Sequence, residues 1–446
     1  MSLWAAMNPN GGAEPQRVME TLPLELASVE YVVQRDNMLK AWKQVKANKG
    51  APGIDDISIE EFPLYSQQHW EGIKTSLLEG TYKPSPVKRV EIPKESGGTR
   101  NLGIPTVMDR VVQQSIAQVL TPVFDPHFSE NSFGFRPGRS AHQAVKKVLK
   151  DMREGYRWAV DIDLKKFFDM VNHDTLMSRV SRRIKDKGLL RLIGKYLRAS
   201  VVVDGRLERT IKGVPQGGPL SPLLSNILLD DLDKELERRG HRFARYADDL
   251  IILVKSERAG HRVMASISRF LERTLKVKVN KAKSKVVRTL DSTFLGFTFK
   301  GGKITATEKA LNGFKNQLRR PTGRSWGVSM SFRYNSLRLY VQGWINYFGI
   351  GMRYSDAVEL NHWLRRRIRM CYWKQWGRCK GRIGNLIKLG APRYQAILTG
   401  LSRKSYWHLA KTLSTNIGLS NEYLQKQGLV SIRTLWIGIH YPATAR

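Results

Sequence analysis

Helical and strand-like patterns of apolar residues alternate through the first two thirds of the chain, and helical patterns dominate after residue 310. Apolar positions recur at helical spacing from Tyr31 to Val45, in "TVMDRVVQQSIAQVL" and in "ERAGHRVMASISRFLERTL". Two short runs rich in β-branched residues, "WAVDIDL" and "LIILV", predict strands. The order of these elements predicts an α/β or α+β body followed by a helical appendage.

Paired glycines punctuate two segments that otherwise have the pattern of strands. The segment "VKRVEIPKESGGTRNLGIP" predicts a hairpin around Gly97–Gly98, and "STFLGFTFKGGKITAT" predicts one that turns at Gly301–Gly302. Both glycine pairs supply the backbone freedom that a tight turn needs.

The composition is that of a globular protein. At 446 residues with 41% hydrophobic content, the chain is long enough for about three domains of ~150 residues each. No apolar run approaches the ~18 residues of a membrane-spanning helix, and the N-terminus lacks a signal-peptide pattern. Cys371 and Cys379 are the only cysteines, which argues against a disulfide framework and a zinc ribbon. We expect a soluble protein of a reducing compartment.

The charge is strongly positive and unevenly distributed. The chain carries 75 Lys and Arg against 39 Asp and Glu, a net charge of +36. Residues 301–446 hold 25 of the basic residues and only 4 acidic ones. Aromatic residues are interleaved with these cations, a composition typical of nucleic-acid binding, where cations meet phosphates and rings can stack. A solvated basic face or attraction to a membrane surface would be the alternatives.

Two acidic pairs border the two short strands. Asp161 and Asp163 end "WAVDIDL", where their i, i+2 spacing puts both side chains on one strand face, and Asp248–Asp249 separate "FARY" from "LIILV". Hard carboxylate oxygens at strand ends suit Mg²⁺, and two such ions about 4 Å apart support phosphoryl transfer. A turn that happens to contain aspartates is the alternative interpretation.

Two companion segments strengthen the metal-site interpretation. The loop "GVPQGGPLSP" places Gln216 where its amide could reach a sugar or base, and Ser221–Pro222 predict the N-cap and first residue of the following helix. Lys94 and Arg100 flank the Gly97–Gly98 turn and could clamp a triphosphate, although exposed cations are common on any hairpin.

The order of these segments resembles the conserved blocks of a reverse transcriptase, and more narrowly the group II intron-encoded proteins, or maturases. The resemblance covers about residues 31–446 and rests on the following segments: "NKGAPGID", "IPK…R", "FSENSFGFRPGRSAH", "DIDLKKFFDMVNH", "PQGGPLSP", "YADD", "VNKAKSK", "FLGF", "SLRLYVQGWINYFG" and "LNHWLRRRIRMCYWKQW". The short chain without an H-N-H endonuclease segment is similar to the bacterial class C members.

The resemblance implies an α+β fold with the fingers and palm of a right-hand polymerase. An N-terminal extension would precede this body, and an α-helical thumb (X domain) and a basic helical DNA-binding region would follow it. The implied boundaries are 1–80 for the arm and extension, 81–305 for fingers and palm, 306–385 for the thumb and 386–446 for the DNA-binding region.

The resemblance also implies roles for individual residues. The implied catalytic residues are Asp163, Asp248, Asp249 and Lys283, with the metal held by the three aspartates and the Leu164 carbonyl. The implied dNTP-binding residues are Lys94, Arg100, Phe168 and Gln216, with Phe168 excluding a 2′-hydroxyl. The implied template or primer contacts are Arg136, Arg139, Gly296, Arg365, Arg366 and Arg369. Asp161 would be a supporting acid, and Lys281 or Lys285 could replace Lys283.

The implied reaction is RNA-directed DNA synthesis, in which a primer 3′-hydroxyl attacks a dNTP with two Mg²⁺ ions, or Mn²⁺, as cofactors. The implied partners are a group II intron RNA whose splicing and retrohoming the protein promotes, an RNA template and a DNA primer or target. The implied location is the bacterial cytoplasm or nucleoid, without a membrane. A free-standing reverse transcriptase and an RNA-binding splicing factor with a vestigial polymerase are the alternatives.

Overall fold

The computed structural model describes residues 27–93 and 99–442, with only the backbone of Arg100, and forms two compact units. The first unit ends at Ser292 and the second begins at Thr293. The predicted end of the fingers and palm lies after residue 305 instead. In the structure, the segment that begins at Thr293 packs against a helix of the second unit. The rings of Tyr347 and Phe348 lie 5.6 and 5.3 Å from that of Phe297.

The first unit is a mixture of helices and strands, as predicted. Its helices are α1 (Val29–Val32), α2 (Arg35–Ala47), α3 (Phe62–Leu78), α4 (Val107–Phe124), α5 (Ala141–Arg153), α6 (Phe167–Met170), α7 (His173–Val180), α8 (Lys187–Leu197), α9 (Ser221–Arg238) and α10 (Glu257–Arg273). Its strands are β1 (Val87–Pro93), β2 (Thr99–Ile104), β3 (Trp158–Ile162), β4 (Val201–Val203), β5 (Arg206–Glu208), β6 (Arg242–Tyr246), β7 (Asp249–Val254) and β8 (Lys285–Arg288).

Two four-stranded sheets organise this unit. The first sheet has the order β2-β1-β4-β5, in which β1 and β2 form the predicted antiparallel hairpin with Pro93 opposite Thr99. The second has the order β6-β7-β3-β8 and is antiparallel throughout. Both strands predicted from β-branched runs, β3 and β7, lie at the centre of this second sheet.

Helix α4 is the most deeply buried helix of the first unit. It begins after Thr106, whose hydroxyl accepts the Asp109 amide hydrogen, and 14 of its residues are buried. Asp109 itself is only 1% exposed, and this burial raises the pKa of its carboxyl. Helix α9 begins at Ser221 rather than after it: Leu220 occupies the N-cap position, and the Ser221 hydroxyl donates to the Pro215 carbonyl at 2.6 Å. The predicted N-cap role of Ser221 is therefore wrong, and the serine closes the preceding loop.

The second unit contains a small sheet and a series of helices. Its strands β9 (Thr293–Phe294), β10 (Phe297–Thr298) and β11 (Thr305–Ala306) form an antiparallel sheet in the order β11-β10-β9. Its helices are α11 (Glu308–Arg319), α12 (Met330–Phe348), α13 (Tyr354–Gln375), α14 (Cys379–Lys388), α15 (Arg393–Leu401), α16 (Tyr406–Leu409), α17 (Leu413–Gly418), α18 (Asn421–Lys426) and α19 (Ile432–His440). The helical character predicted for this third of the chain is confirmed.

The segment from Thr293 to Ala306 makes two turns, where the sequence predicted one. The β10–β11 connection contains Gly301–Gly302 as predicted, and β9 and β10 are joined by Leu295 and Gly296 alone. Both linking residues have positive φ, +52° and +81°, which is the two-residue turn that matches the twist of antiparallel strands.

Helix α13 packs through a stripe of apolar residues at helical spacing. Leu360, Leu364, Ile368 and Cys371 are all buried, and Trp373 is fully buried as a packing residue. None of the helices within the described residues is both long and apolar enough to cross a membrane.

Candidate active site

The predicted acidic residues converge at one end of the second sheet. Strands β3 and β7 pair so that Ile162 lies opposite Leu250, and one further residue along each chain brings Asp163 to the side of Asp249. Directly opposed residues of antiparallel strands have Cβ atoms about 5 Å apart. Asp161 lies two residues earlier on β3, on the same face as Asp163. The register therefore unites the two acidic pairs, which are separated by more than eighty residues of sequence.

Asp248 lies in a tight turn, and Asp249 is the first residue of the strand that follows it. Strands β6 and β7 pair up to Tyr246 and Asp249, so that Ala247 and Asp248 alone span the turn. Ala247 has a φ of +56°, a left-handed conformation that is unfavourable for alanine and is found where surrounding structure enforces it. The turn thus holds two adjacent carboxylates at the edge of a rigid sheet.

Asp163 is held by two residues that sequence reasoning did not single out. The Asn280 side-chain amide donates to the Asp163 carboxylate at 2.7 Å, and the Asn280 backbone amide donates to the Asp163 carbonyl at 2.8 Å. The backbone amide of Asp163 donates to the Ser284 hydroxyl at 3.0 Å. Both residues belong to "VNKAKSK". The predicted roles in that segment concern its lysines alone; its two uncharged polar residues, Asn280 and Ser284, were the available signal.

The carboxylates at this sheet end repel one another. The pKa of Asp249 is raised to about 7 by desolvation and by the neighbouring charge of Asp248, with smaller contributions from Asp161 and Asp163. Asp249 is itself exposed to solvent, so repulsion by the neighbouring carboxylates acts on it beside desolvation. Desolvation raises the pKa of Asp161 to about 6, against the opposing charge of Lys285. Such a cluster of like charges gains stability from a bound cation.

The residues at this end fit a divalent metal through oxygen donors. Within residues 27–93 and 99–442, no group of three or more His, Cys, Asp or Glu side chains is arranged to enclose a metal ion by itself. A site that binds Mg²⁺ through one or two carboxylates plus substrate phosphates does not require such a cage. The carboxylates of Asp163, Asp248 and Asp249 supply the required hard oxygen atoms.

Leu164 is buried beside the acidic cluster. Its isolated bridge to Val279 uses the backbone groups of its neighbours, with the Lys165 amide donating to the Lys278 carbonyl at 2.9 Å. The second hydrogen bond of the bridge is the one from the Asn280 amide to the Asp163 carbonyl. Neither bond uses the carbonyl of Leu164 itself. Its role as a metal ligand stays a prediction.

Phe168 and Gln216 lie in segments that are bonded to each other. The amide of Val214 donates to the Phe168 carbonyl at 2.6 Å, and the Gln216 side chain donates to the Asp169 carboxylate at 3.3 Å. Both Phe168 and Gln216 are half-buried. The structure therefore joins the two segments that carry these residues, which the resemblance assigned to one incoming nucleotide.

The predicted triphosphate clamp lies mostly outside the described residues. Lys94 is not described, and of Arg100 only the backbone is described, in β2. The hairpin that carries both is nevertheless joined to the Gln216 loop, because the Gly103 amide donates to the Gln216 carbonyl at 2.7 Å. A Cβ on Gly217 would lie 2.3 Å from the Gly103 carbonyl oxygen, so this approach requires glycine.

Among the three candidate lysines, Lys285 has the clearest relation to the acids. It lies on β8 directly opposite Asp161 and lowers the pKa of that carboxyl. Lys283 is exposed in the turn before β8, where its amide donates to the Asn280 carbonyl at 3.1 Å. The assignment of Lys283 as the proton donor stays a prediction, and Lys285 is its structural rival.

The environment of Arg136 does not favour its predicted template contact, which stays a prediction. Its guanidinium is buried and donates to the Asp125 carboxylate at 2.7 Å and to the Ser129 and Ser132 carbonyls at 2.6 and 2.9 Å. These acceptors occupy the donors that a template phosphate would need. Arg139 is half-buried and forms an ion pair with the exposed Glu130, so its template contact stays a prediction.

The three arginines of α13 differ in their surroundings, although the resemblance implied the same role for all of them. Arg369 is buried and donates to the Leu419 carbonyl at 2.9 Å, which does not favour its predicted phosphate contact; that contact stays a prediction. Arg366 donates to the Trp407 carbonyl at 3.0 Å and lies 3.9 Å from the centre of that ring. It therefore serves first to join α13 to α16.

The template or primer contacts predicted for Arg365 and Gly296 stay predictions. Arg365 is half-buried and lines a cavity of about 470 Å³ with His362, and its electrostatic neighbours include another cation, Arg433. Two neighbouring cations favour a polyanionic ligand, although Glu422 lines the same cavity. Gly296 occupies the two-residue turn between β9 and β10, where its carbonyl accepts the Thr307 amide hydrogen at 3.1 Å.

Two family models match the chain. Residues 92–299 match the model described as reverse transcriptase (RNA-dependent DNA polymerase), and residues 311–390 match the group II intron, maturase-specific domain. The first match contains all three aspartates of the sheet end. The second contains helix α13 with its arginines.

Two proteins of known sequence and one solved structure are similar to this chain. Protein YkfC of Escherichia coli is 31% identical over 344 residues, which cover 68% of this chain and 86% of YkfC. The group II intron-encoded protein LtrA of Lactococcus lactis is 38% identical over 224 residues, which cover 50% of this chain but only 37% of LtrA. A chain of a partial Cas6-RT-Cas1–Cas2 complex is 26% identical, with 55% of this chain and 42% of that chain covered and a TM-score of 0.36.

Proposed function

Because the chain belongs to the family of group II intron-encoded reverse transcriptases and maturases, we propose that Asp163, Asp248 and Asp249 carry its RNA-directed DNA polymerase activity. The observation that carries this assignment is the register of β3 and β7, which places Asp163 beside Asp249 at the β6–β7 turn. Each acid is exposed or half-buried, so a substrate can approach all three.

The reaction joins a primer 3′-hydroxyl to the α-phosphate of a dNTP and releases pyrophosphate. The divalent cations that such chemistry uses, Mg²⁺ in our proposal and alternatively Mn²⁺, would be held by the three aspartates and the Leu164 carbonyl, and when bound they stabilise charge on the phosphates. The protein itself contributes mainly placement and electrostatics. Asn280 and Ser284 orient Asp163, and Lys283 or Lys285 would give a proton to the leaving pyrophosphate.

The incoming nucleotide would lie between the Gln216 loop and Phe168. The bonds from Val214 to Phe168 and from Gln216 to Asp169 fix these two segments relative to each other. The ring of Phe168 would then exclude a ribose 2′-hydroxyl, and Gln216 would bind the sugar or base. Lys94 and Arg100 would hold the triphosphate from the hairpin that Gly103 joins to this loop.

The second unit would hold the RNA. Residues 306–385 would be the thumb, or X domain, and residues 386–446 a basic DNA-binding region, while residues 1–80 and 81–305 would be the N-terminal extension and the fingers and palm. Residues 301–446 contain 25 basic and 4 acidic residues, and this positive charge supports a polyanionic partner for the second unit. The chain covers little more than a third of LtrA, so the intron partner is proposed from the maturase-specific match.

We further propose that the protein binds a group II intron RNA, promotes its splicing and copies it during retrohoming, in the cytoplasm or nucleoid of a bacterium. The match to the maturase-specific domain favours this function over a free-standing reverse transcriptase. The presence of all three aspartates, Asp163, Asp248 and Asp249, at one sheet end favours an active polymerase over a splicing factor with a vestigial one.

Crosslinking in the native host, followed by sequencing of the bound RNA, tests this proposal. We expect one dominant RNA that folds as a group II intron. A broad spread of unrelated RNAs would overturn the intron partner and leave a free-standing reverse transcriptase. In parallel, the purified protein should extend a DNA primer on an RNA template with dNTPs, and an inactive protein that still selects one intron would indicate a splicing factor alone.

A further inference from the structure

Arg245 lies two residues before the turn that carries Asp248 and Asp249, and its side chain is almost completely buried. It is 1% exposed, although it precedes one of the most polar segments of the chain. A buried guanidinium requires an acceptor for each of its donors. The acceptors of Arg245 therefore identify the segments that this side chain connects.

The five N–H donors of Arg245 have five acceptors. Nε and Nη2 donate to the two carboxylate oxygens of Asp233 at 2.7 and 2.5 Å. Nη1 donates to the Asn226 side-chain oxygen and to the Ala247 carbonyl, both at 2.9 Å, and Nη2 donates to the Ser132 hydroxyl at 2.8 Å. Asp233, Asn226 and Ser132 are each 0% exposed.

One of these contacts acts directly on the acidic turn. Ala247 has a φ of +56°, which its own side chain disfavours, and its carbonyl is fixed by Arg245 Nη1. The hydrogen bond therefore holds the strained residue that immediately precedes Asp248. The Asp233 carboxylate, on helix α9, fixes the guanidinium from the opposite side.

A loop of residues 129–136 completes this arrangement. The Arg245 amide donates to the Asn131 carbonyl, and the Phe133 amide donates to the Arg245 carbonyl, both at 2.9 Å. Asn226 also donates to the Gly134 carbonyl at 2.8 Å. A Cβ on Gly134 would lie 2.3 Å from the Ala247 nitrogen, so the loop packs directly on the turn.

Arg136 stabilises the same loop from its far side. Its contacts with Asp125, the C-cap residue of α4, and with the Ser129 and Ser132 carbonyls hold the loop to the end of α4. This role explains why Arg136 is buried, although the sequence predicted that it faces a template. Both buried arginines thus act on the backbone that surrounds the acidic turn.

We infer that Arg245 is a positioning residue for the polymerase site: through Asp233, Asn226 and Ser132 it fixes the Asp248–Asp249 turn to helix α9 and to the 129–136 loop. The inference rests on the polymerase function proposed above, because positioning matters only where the two aspartates act. Arg245 itself is too deeply buried to contact a substrate. Its contribution is the geometry of the turn.

The test compares two asparagines that each connect three segments but lie in different places. Asn226→Ala removes one acceptor of Arg245 and the bond to Gly134. Asn37→Ala is the matched control, because the Asn37 amide donates to the Ser115 hydroxyl and carbonyl and to the Val32 carbonyl, none of which belongs to the turn. Both variants should lower the melting temperature of the protein.

Two readouts separate positioning from general stability. At saturating dNTP and template–primer, Asn226→Ala should lower the single-turnover rate about 10-fold or more, since small displacements of catalytic groups have effects of this size. Hydrogen exchange of the peptide 244–252, which requires no activity, should accelerate in Asn226→Ala. Asn37→Ala should leave both readouts near those of the unaltered protein. If the two variants behave alike in both readouts, Arg245 has a structural role only.

Arg245→Lys provides the second variant. A lysine keeps the charge opposite Asp233 but has three donors in place of five, so it cannot hold Asp233, Asn226, Ser132 and the Ala247 carbonyl together. We expect a slowed reaction and faster exchange of 244–252, with template–primer affinity within about twofold of the unaltered protein. Full activity and unaltered exchange in Arg245→Lys would overturn the inference. Absence of polymerase activity in the unaltered protein would refute the proposed function, while the exchange comparison would still test the positioning.

Discussion

The Asn280 side-chain amide donates to the Asp163 carboxylate at 2.7 Å, while the backbone amide of the same residue donates to the Asp163 carbonyl at 2.8 Å. One residue therefore fixes both the main chain and the side chain of a candidate metal ligand. Groups that orient a metal ligand commonly contribute 10-fold to 100-fold to metal affinity or activity.

We predict that Asn280→Ala lowers the polymerase rate about 10-fold to 100-fold and increases the Mg²⁺ concentration needed for half-maximal rate. The physical reason is that the Asp163 carboxylate would rotate freely. The measurement is single-turnover primer extension across a Mg²⁺ titration. Template–primer affinity serves as the control and should not change. An unaltered Mg²⁺ dependence would show that Asp163 does not need Asn280.

Removal of any one of the three aspartates should abolish polymerisation. Asp163→Asn, Asp248→Asn and Asp249→Asn each remove a charged oxygen ligand while keeping the side-chain volume, so we expect a loss of at least about 10³-fold in rate. RNA affinity, measured by filter binding, should stay within about twofold because residues 301–446 supply most of the net positive charge. Substantial activity in any of the three variants would remove that residue from the site.

Phe168→Ala should allow the polymerase to incorporate ribonucleotides. The smaller side chain would leave room for a 2′-hydroxyl next to the Gln216 loop, so the preference for dNTP over NTP should fall by about 10-fold or more. The measurement is the ratio of kcat/KM values for the two nucleotides. Phe168→Tyr retains the ring and is the matched control. Equal discrimination by Phe168→Ala and the unaltered protein would show that another residue excludes the 2′-hydroxyl.

The arginines of α13 should separate into one that binds nucleic acid and one that stabilises the second unit. Arg365→Ala should make the plot of log K for RNA against log salt concentration shallower by about one phosphate contact. Arg369→Ala should leave that slope unchanged and lower thermal stability, because the Leu419 carbonyl loses a buried charged donor. The reverse pattern would show that Arg369 leaves its buried position when RNA binds.

Asp109 should make the stability of the first unit depend on pH. Burial raises its pKa above the ordinary 3.8, against hydrogen bonds from the hydroxyls of Tyr82, Thr106 and Tyr196. The folded state therefore keeps the proton to higher pH than the unfolded state, and this residue's contribution to the free energy of unfolding falls as pH rises above 3.8.

The measurement is urea unfolding of the unaltered protein and of Asp109→Asn from pH 4 upward. The stability of the unaltered protein relative to the variant should decline with rising pH until Asp109 is ionised in the folded state, and then become constant. Tyr196→Phe should cost about 1 kcal/mol while Asp109 is protonated, because it removes one buried hydrogen bond, and more once Asp109 is ionised, because a hydrogen bond to a charged acceptor is stronger. A pH-independent difference between Asp109→Asn and the unaltered protein would show that Asp109 has an ordinary pKa.

The sequence by itself determined the local elements and the chemistry that they carry. The β-branched runs at β3 and β7, the acidic pair Asp248–Asp249 between two strand segments and the helical stripe of Leu360, Leu364 and Ile368 follow from residue type and period, which act over a few neighbours. The order of the motifs also determined the family, because the family pattern lies in the linear sequence.

Tertiary structure alone decided which polar side chains face a ligand and which face the interior. Arg136 and Arg369 are basic residues in a basic chain, yet both are buried against carbonyl groups, while Arg365 stays accessible to solvent. The partners of Arg245 and Asp163 come from distant segments, as Ser132 and Asn280 illustrate. Periodicity assigns a residue to one face of its own element, but the burial of that face depends on what packs against it, and this requires contacts between residues far apart in sequence.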